Sequence, residues 1–188
     1  MNRIVYMVMR NLPWAPYWFF TIDKMGKHLE RYSEQTRYDF LRNMVININK
    51  RGRVKLVTTG AEHLPEKDGF ILFPNHQGLY DMLALVETCP RPLSVVIKQE
   101  ASQWILVKQV LRMIEGISLD RSDIKASMEM IREVSRRVKN GKNYVIFAEG
   151  TRSKNGNQIL EFKAGTFKSA VSAGCPIVPV AMINSFRP

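Results

Sequence analysis

The chain has 188 residues, a formal net charge of +11 and two cysteines. That length suits one globular domain with a buried core. Cys89 and Cys175 form no CxxC pair and have no flanking histidines, which argues against a disulfide framework or a zinc site, so both are expected as buried, reduced thiols. The cationic excess calls for an anionic partner, whether nucleic acid, a membrane surface or a phosphorylated substrate.

The basic part is the N-terminal third, where residues 1–60 hold eleven Lys/Arg against four Asp/Glu. Ile4, Met7, Val8 and Leu12 recur at helical spacing. The uncharged run NLPWAPYWFFTI, from Asn11 to Ile22, follows. It is shorter than the roughly 20 apolar residues of a membrane span and is interrupted by Pro13 and Pro16. No small-residue cleavage site follows it, so it does not read as a secretory signal, and the chain is expected to be cytoplasmic. Leu29, Tyr32, Leu41, Met44, Val45 and Ile48 suit a longer amphipathic helix studded with Lys27, Arg31, Arg37 and Arg42. Trp14, Tyr17 and Trp18 are residue types that favour the membrane-water interface. Residues 1–52 therefore read as an amphipathic helical pair that associates with a membrane surface. The alternative is a helical hairpin packed on the protein's own core.

From Arg53 the texture changes to short β-branched runs alternating with helical stretches. Strands are predicted over 54–58, 70–73, 93–97, 116–119, 144–147 and 177–182, and helices over 79–87, 103–114, 124–139 and 166–173. The alternation predicts an α/β domain over 53–188, with a mostly parallel central sheet flanked by helices.

The stretch FILFPNHQGLYD, Phe70 to Asp81, runs from an apolar strand into a polar loop. Open α/β sheets place ligands at the carboxyl ends of their strands, so His76 is expected in a crevice there. His76 and Asp81 are five apart and would not share a face of one regular helix. They meet only if the histidine precedes the helix and folds back, which Pro74 and Gly78 make plausible. An aspartate on one ring nitrogen fixes the tautomer and stabilises the imidazolium, leaving the other nitrogen to act as a general base. An isolated pair of this kind is more often a helix cap beside an ordinary aspartate.

YVIFAEGTRS, Tyr144 to Ser153, repeats the pattern of a strand entering a glycine-containing turn. It sets Glu149 and Arg152 at another strand end, with Gly150 allowing close backbone approach and arginine suited to bidentate phosphate recognition. A third strand end, SLDR, supplies Arg121, and a fourth, IKQE, supplies Lys98. The chain has no GxSxG elbow, P-loop or GxGxxG after a strand, and His28 and His63 stand apart from any metal-ligand spacing. Direct attack by a substrate hydroxyl is then the economical chemistry.

NHQGLYD (75–81) resembles the NHxxxxD block of the glycerolipid acyltransferases, and FAEGTRS (147–153) resembles their EGTR block. GISLDR (116–121) and IVPVA (177–181) are similar to two further blocks, in the family's order, and the likeness covers about residues 54–183. Position 78 is Gly where the family often has Ser, and 148 is Ala where Pro is common. Relatives continue beyond the last block, so a C-terminally truncated catalytic domain is expected.

The resemblance implies transfer of an acyl group from a thioester, acyl-CoA or acyl carrier protein, to the 2-hydroxyl of 1-acylglycerol-3-phosphate. His76 would be the base and Asp81 its orienter. Arg121, Arg152, Gly150 and Thr151 would hold the phosphate, Glu149 would orient those cations or a glycerol hydroxyl, and Lys98 or backbone N–H groups near Gly78 would face the oxyanion. It implies no bound cofactor, no metal and no nucleic acid, and a protein on the cytoplasmic face of an anionic membrane. Acylation of glycerol-3-phosphate or another lysophospholipid is the nearest alternative. A basic, non-enzymatic module for anionic lipid or nucleic acid is the alternative from another class.

Overall fold

The computed structural model describes residues 3–120 and 122–188. Five parallel strands form one sheet in the order β3-β2-β4-β1-β5. They are β1 (Ile71–Pro74), β2 (Leu93–Lys98), β3 (Ile117–Leu119), β4 (Asn143–Val145) and β5 (Ile177–Val180). Because every strand runs the same way, every carboxyl end opens at one edge, where α/β sheets place their ligands.

Helices cover both faces. One carries α6 (Ile124–Lys139) and α7 (Lys168–Ala173); the other carries α4 (Asp81–Thr88) and α5 (Val107–Met113), together with α2 (Ala15–Lys27) and α3 (Glu34–Arg51). Alternation along the strands makes this possible. Ile71, Phe73, Tyr144 and Ile146 face α6 and α7, while Leu72, Val145 and Phe147 face the other layer. With both faces covered, the strands read as continuous apolar runs.

The N-terminal third differs from its sequence reading. Helix α1 (Arg3–Asn11), a 3-10 turn at Leu12–Trp14 and α2 follow one another directly, so the aromatic run is helical. Pro13 and Pro16 lie in the first turns of their elements, where a missing N–H costs nothing. The stripe of α1 that packs inward is Met7 and Asn11, while Ile4, Val8 and Leu12 are exposed. The long helix begins only at Glu34, where Ser33 caps it by accepting from the Thr36 N–H at 3.1 Å.

Trp18, Ile22, Tyr38, Leu41, Met44 and Val45 belong to the same core as Phe70, Leu72, Leu93 and Val95. The packing has no break near residue 52. Arg37, one of the cations that stud the predicted amphipathic helix, is buried and pairs with Glu115 at 2.9 Å, and Lys142 joins the same carboxylate at 2.6 Å. The outer surface of α1 and α2 remains apolar, with Val5, Met9, Tyr17 and Phe20 exposed. No described helix is long and apolar enough to cross a membrane.

Three further expectations change. The β-branched run at 54–58 forms no strand, because no sheet edge bonds it; the Val54 N–H instead closes the end of α3 on the Asn49 carbonyl at 2.9 Å. The helix expected from residue 103 starts at Val107, after a tip whose Leu106 has φ +73. Cys89 is buried, but Cys175 is only half-buried; both are free.

Candidate active site

The loop after β1 is fixed before its histidine is reached. Asn75, buried, donates to the Met182 carbonyl at 3.1 Å and accepts from the Met182 N–H at 2.6 Å, which ties β1 to the segment leaving β5. Gln77, also buried, accepts from the Ser185 N–H at 3.0 Å and the Ser185 hydroxyl at 2.9 Å, and donates to Asn157 at 3.0 Å. Asn75 and Gln77 make the strand-end loop a rigid platform, which is what holding a reacting group in position requires.

His76 precedes α4 and folds back over its first turn. Its Nδ1 lies 2.6 Å from Oδ2 of Asp81, the first residue of that helix. The same oxygen accepts from the Gln77 N–H at 2.7 Å and the Gly78 N–H at 3.1 Å. Burial pushes the Asp81 carboxyl up, but His76 and the Gly78 and Gln77 N–H groups, with the Ser185 hydroxyl nearby, outweigh it and hold the group below its ordinary value. The carboxylate is fully buried while the imidazole is about one-fifth exposed. Nδ1 is thus occupied by a charged acceptor, and Nε2 has no hydrogen-bond partner among the described residues. Phe147 stacks against the imidazole with centroids 3.9 Å apart, fixing the ring plane from the β4 side.

The Gly78 and Gln77 N–H groups turn inward to Asp81. Of the backbone N–H groups expected near an oxyanion, these two are bonded to Asp81 and orient the dyad.

Glu149 is likewise bonded to backbone. It is 1% exposed, Oε1 accepts the His76 N–H at 2.8 Å and Oε2 accepts the Leu160 N–H at 2.9 Å. Both oxygens serve backbone, and none of its hydrogen bonds reaches a cation. Glu149 is the strut that locks the histidine loop to the 147–160 loop. The Ser153 N–H closes the same junction on the His76 carbonyl at 2.8 Å.

Gly150 turns the chain with φ +69, a conformation that suits glycine, and releases Thr151 and Arg152 as exposed residues beside the histidine loop. No carboxylate pairs with Arg152 among the described residues. Lys98 ends β2 on the far side of β4, exposed and 2.6 Å from Glu100. Arg121 lies outside the described residues; the register sets the last residue of β3, Leu119, beside Lys98.

The shared edge thus carries His76 and Asp81 next to Arg152, with Lys98 one strand further on. Among the described residues, no group of three His, Cys, Asp or Glu is placed to hold a metal ion. Gln77, Phe147 and Ser185 were not singled out in the sequence. Gln77 and Ser185 are polar side chains in loops, which a local pattern does not distinguish from solvated ones, and Phe147 reads as one more apolar residue of a buried strand.

A cavity of about 550 Å³ lies between residues 54–61, the α4 side chains Tyr80, Ala84 and Leu85, and the segment leaving β5. None of His76, Asp81 and Arg152 lines it.

The family model described as Acyltransferase matches residues 55–183. The 1-acyl-sn-glycerol-3-phosphate acyltransferase of Borreliella burgdorferi is 29% identical over 132 residues, covering 70% of this chain and 52% of that protein. The 1-acyl-sn-glycerol-3-phosphate acyltransferase alpha of Homo sapiens is 31% identical over 144 residues, covering 76% and 50%. The chain therefore spans about half the length of these curated relatives. The crystal structure of the 1-acyl-sn-glycerophosphate (LPA) acyltransferase PlsC from Thermotoga maritima superposes with a TM-score of 0.71 at 26% identity, over 95% of this chain and 74% of that one. With the matched family segment spanning all five strands and both members of the dyad, the chain belongs to the acyltransferase family.

Proposed function

We propose that the protein transfers a fatty acyl group from a thioester donor to the 2-hydroxyl of 1-acylglycerol-3-phosphate, giving phosphatidic acid. The observation that carries this reading is the 2.6 Å contact between His76 and a fully buried Asp81, at the strand edge that also presents Arg152. The names of the relatives support the acceptor, because each is called an acyltransferase of 1-acylglycerol phosphate.

The acceptor hydroxyl gives its proton to Nε2 of His76 as its oxygen attacks the thioester carbonyl. Asp81 stabilises the imidazolium that forms. The tetrahedral intermediate collapses by breaking the carbon-sulfur bond, and the imidazolium returns the proton to the departing thiolate. No separate base, metal or cofactor is required for this balance. Arg152, with Thr151, Gly150 and Arg121, is proposed to hold the acceptor phosphate, since a guanidinium meets phosphate oxygens bidentately. Lys98 is proposed to face the oxyanion or the second anionic substrate. Either acyl-CoA or acyl carrier protein satisfies the chemistry of the donor.

The acceptor carries an acyl chain and resides in a bilayer. Residues 1–52 are proposed as the membrane-association segment and 53–188 as the catalytic region, lying on the cytoplasmic face without crossing it. The exposed apolar surface of α1 and α2 supports this, because an amphipathic helix buries such a face at the headgroup boundary while its cations attract anionic lipid.

Purified protein assayed with labelled acyl-CoA and acyl carrier protein, against 1-acylglycerol-3-phosphate, glycerol-3-phosphate and neutral lysophospholipids, tests the reading. Transfer only to the first acceptor is expected. Transfer only to glycerol-3-phosphate or to a neutral acceptor would replace it.

A further inference from the structure

The connection between β2 and α5 ends in three consecutive large apolar side chains that are exposed. Trp104 is 50% exposed, Ile105 82% and Leu106 40%. Leu106 also has φ +73 and ψ −45, a backbone region that a branched side chain rarely occupies. The chain bears both a strained backbone and exposed apolar surface here, and neither adds to the core.

The tip is not loose. Ser102, buried, donates its N–H and its hydroxyl to the Gln99 carbonyl at 3.1 and 2.6 Å. The Trp104 N–H bonds to the Ala101 carbonyl, Lys108 N–H returns to the Trp104 carbonyl at 3.0 Å, and the Leu106 N–H donates to the Gln109 side chain at 2.8 Å. The three side chains are therefore held outward by a braced turn.

Its place in the fold identifies the occupant. The turn leaves the carboxyl end of β2, the edge that holds His76. Leu79, Ile159, Phe162, Ile183 and Phe186 are exposed on the other connections leaving that edge. Among the described residues, the short connections entering the strands at the opposite edge (89–92, 114–116, 140–142 and 174–176) carry no exposed large apolar side chain, and exposed ones there are scattered singly, Ile177 at the start of β5 and Val57 on the longer segment before β1. Lys98 and Lys108 flank the tip, against Glu100, which pairs with Lys98.

Three side chains fall far short of the roughly 800 Å² that each partner contributes to a specific protein interface. They suffice to enter a lipid headgroup boundary, where tryptophan is enriched and neighbouring lysines meet anionic headgroups.

We propose that Trp104-Ile105-Leu106 is a second point of insertion into an anionic lipid surface, distinct from the N-terminal helices, which sets the His76 edge against the bilayer. The proposal rests on the reading that the acceptor is a membrane-resident lysophospholipid. A tip at this edge adds orientation to attachment, so the acceptor reaches the base without leaving the interface.

The test compares the full chain with W104S/I105S and with the single I105D variant, by sedimentation with vesicles of phosphatidylcholine and phosphatidylglycerol. Circular dichroism and thermal melting serve as folding controls. Partitioning is expected to fall about tenfold or more in both variants, since each loses a large apolar contact with the acyl boundary. Melting is expected to be unchanged, as is the rate on a short-chain, monomeric 1-acylglycerol-3-phosphate. If W104S/I105S alone disturbs the fold, I105D decides, because its side chain is the most exposed of the three.

Unchanged partitioning of I105D would overturn the proposal. So would unchanged partitioning with a selective loss of rate toward one acyl donor, which would make the tip a donor-docking surface. A wild-type chain that binds vesicles in a tip-dependent way yet acylates no glycerol phosphate would instead overturn the proposed function.

Discussion

Replacing Asp81 by asparagine separates charge from geometry in the dyad. In the native site one oxygen, Oδ2, takes all three hydrogen bonds, from His76 Nδ1 and the Gln77 and Gly78 N–H groups, while Oδ1 is buried without a partner. An asparagine can put its carbonyl oxygen where Oδ2 stands and its amide where Oδ1 stands, so the loop keeps its three bonds. What disappears is the negative charge that stabilises the imidazolium as the proton arrives. In triads built the same way that loss amounts to about 10⁴ in kcat, and general base catalysis as a whole contributes about 10²–10⁴.

Asp81→Asn is therefore expected to fall at least about a hundredfold in acyl transfer while its melting temperature stays close to wild type. Asp81→Ala removes the acceptor altogether. It leaves two inward-facing N–H groups unpaired at about 1–3 kcal/mol each, so it should lose stability as well as activity. The assay is initial-rate transfer from labelled acyl-CoA, with thermal melts of the same preparations. Asp81→Asn within a factor of ten of wild type, with an unchanged melt, would refute the reasoning.

Glu149→Ala should lose both stability and turnover, because it strands the His76 and Leu160 N–H groups at about 1–3 kcal/mol each. A stable variant with only a raised acceptor KM, measured by melting and kinetics together, would return Glu149 to the substrate. Deleting residues 1–50 should unfold the protein by circular dichroism. It takes Ile22, Tyr38, Leu41, Met44 and Val45 out of the shared core, a loss of about 7–15 kcal/mol that rivals the stability of a whole domain.

The Glu115 hub gives a pH dependence. Burial raises the carboxyl, but Lys142 and Arg37 outweigh it and hold it below the ordinary value. The folded state then binds the proton less readily than the unfolded one, so this stabilisation is present above the ordinary carboxylate range and fades as pH falls through the lowered folded value. Lys142→Met should accordingly lower the urea midpoint at neutral pH, with the difference from wild type shrinking in acid.

The parallel sheet was legible because its strands are buried on both faces and read as apolar runs separated by helical periods. The dyad was legible because His76 and Asp81 are close in sequence, across a loop that Pro74 and Gly78 bend. What the sequence concealed depended on distant partners. Residues 54–58 have strand composition but no neighbouring edge to bond, and a strand exists only in a ladder. Glu149 reads as a binding-site carboxylate until the N–H groups of His76 and Leu160 are found on it. The N-terminal third shows two amphipathic patterns in sequence without saying which faces the core, and Ile22 and Tyr38 face it while Tyr17 and Phe20 face outward.

The central claim is that His76 takes the acceptor's proton while Asp81 holds its ring. Its most direct test is single-turnover transfer of a labelled acyl group from acyl-CoA to 1-acylglycerol-3-phosphate by wild type and by His76→Ala. The imidazole is partly exposed and its hydrogen bond is to a side chain, so the variant should fold with a native circular dichroism spectrum. The account predicts phosphatidic acid from the wild type and a rate at least about a hundredfold lower from the variant. A folded His76→Ala protein that forms phosphatidic acid at a rate near wild type would contradict it.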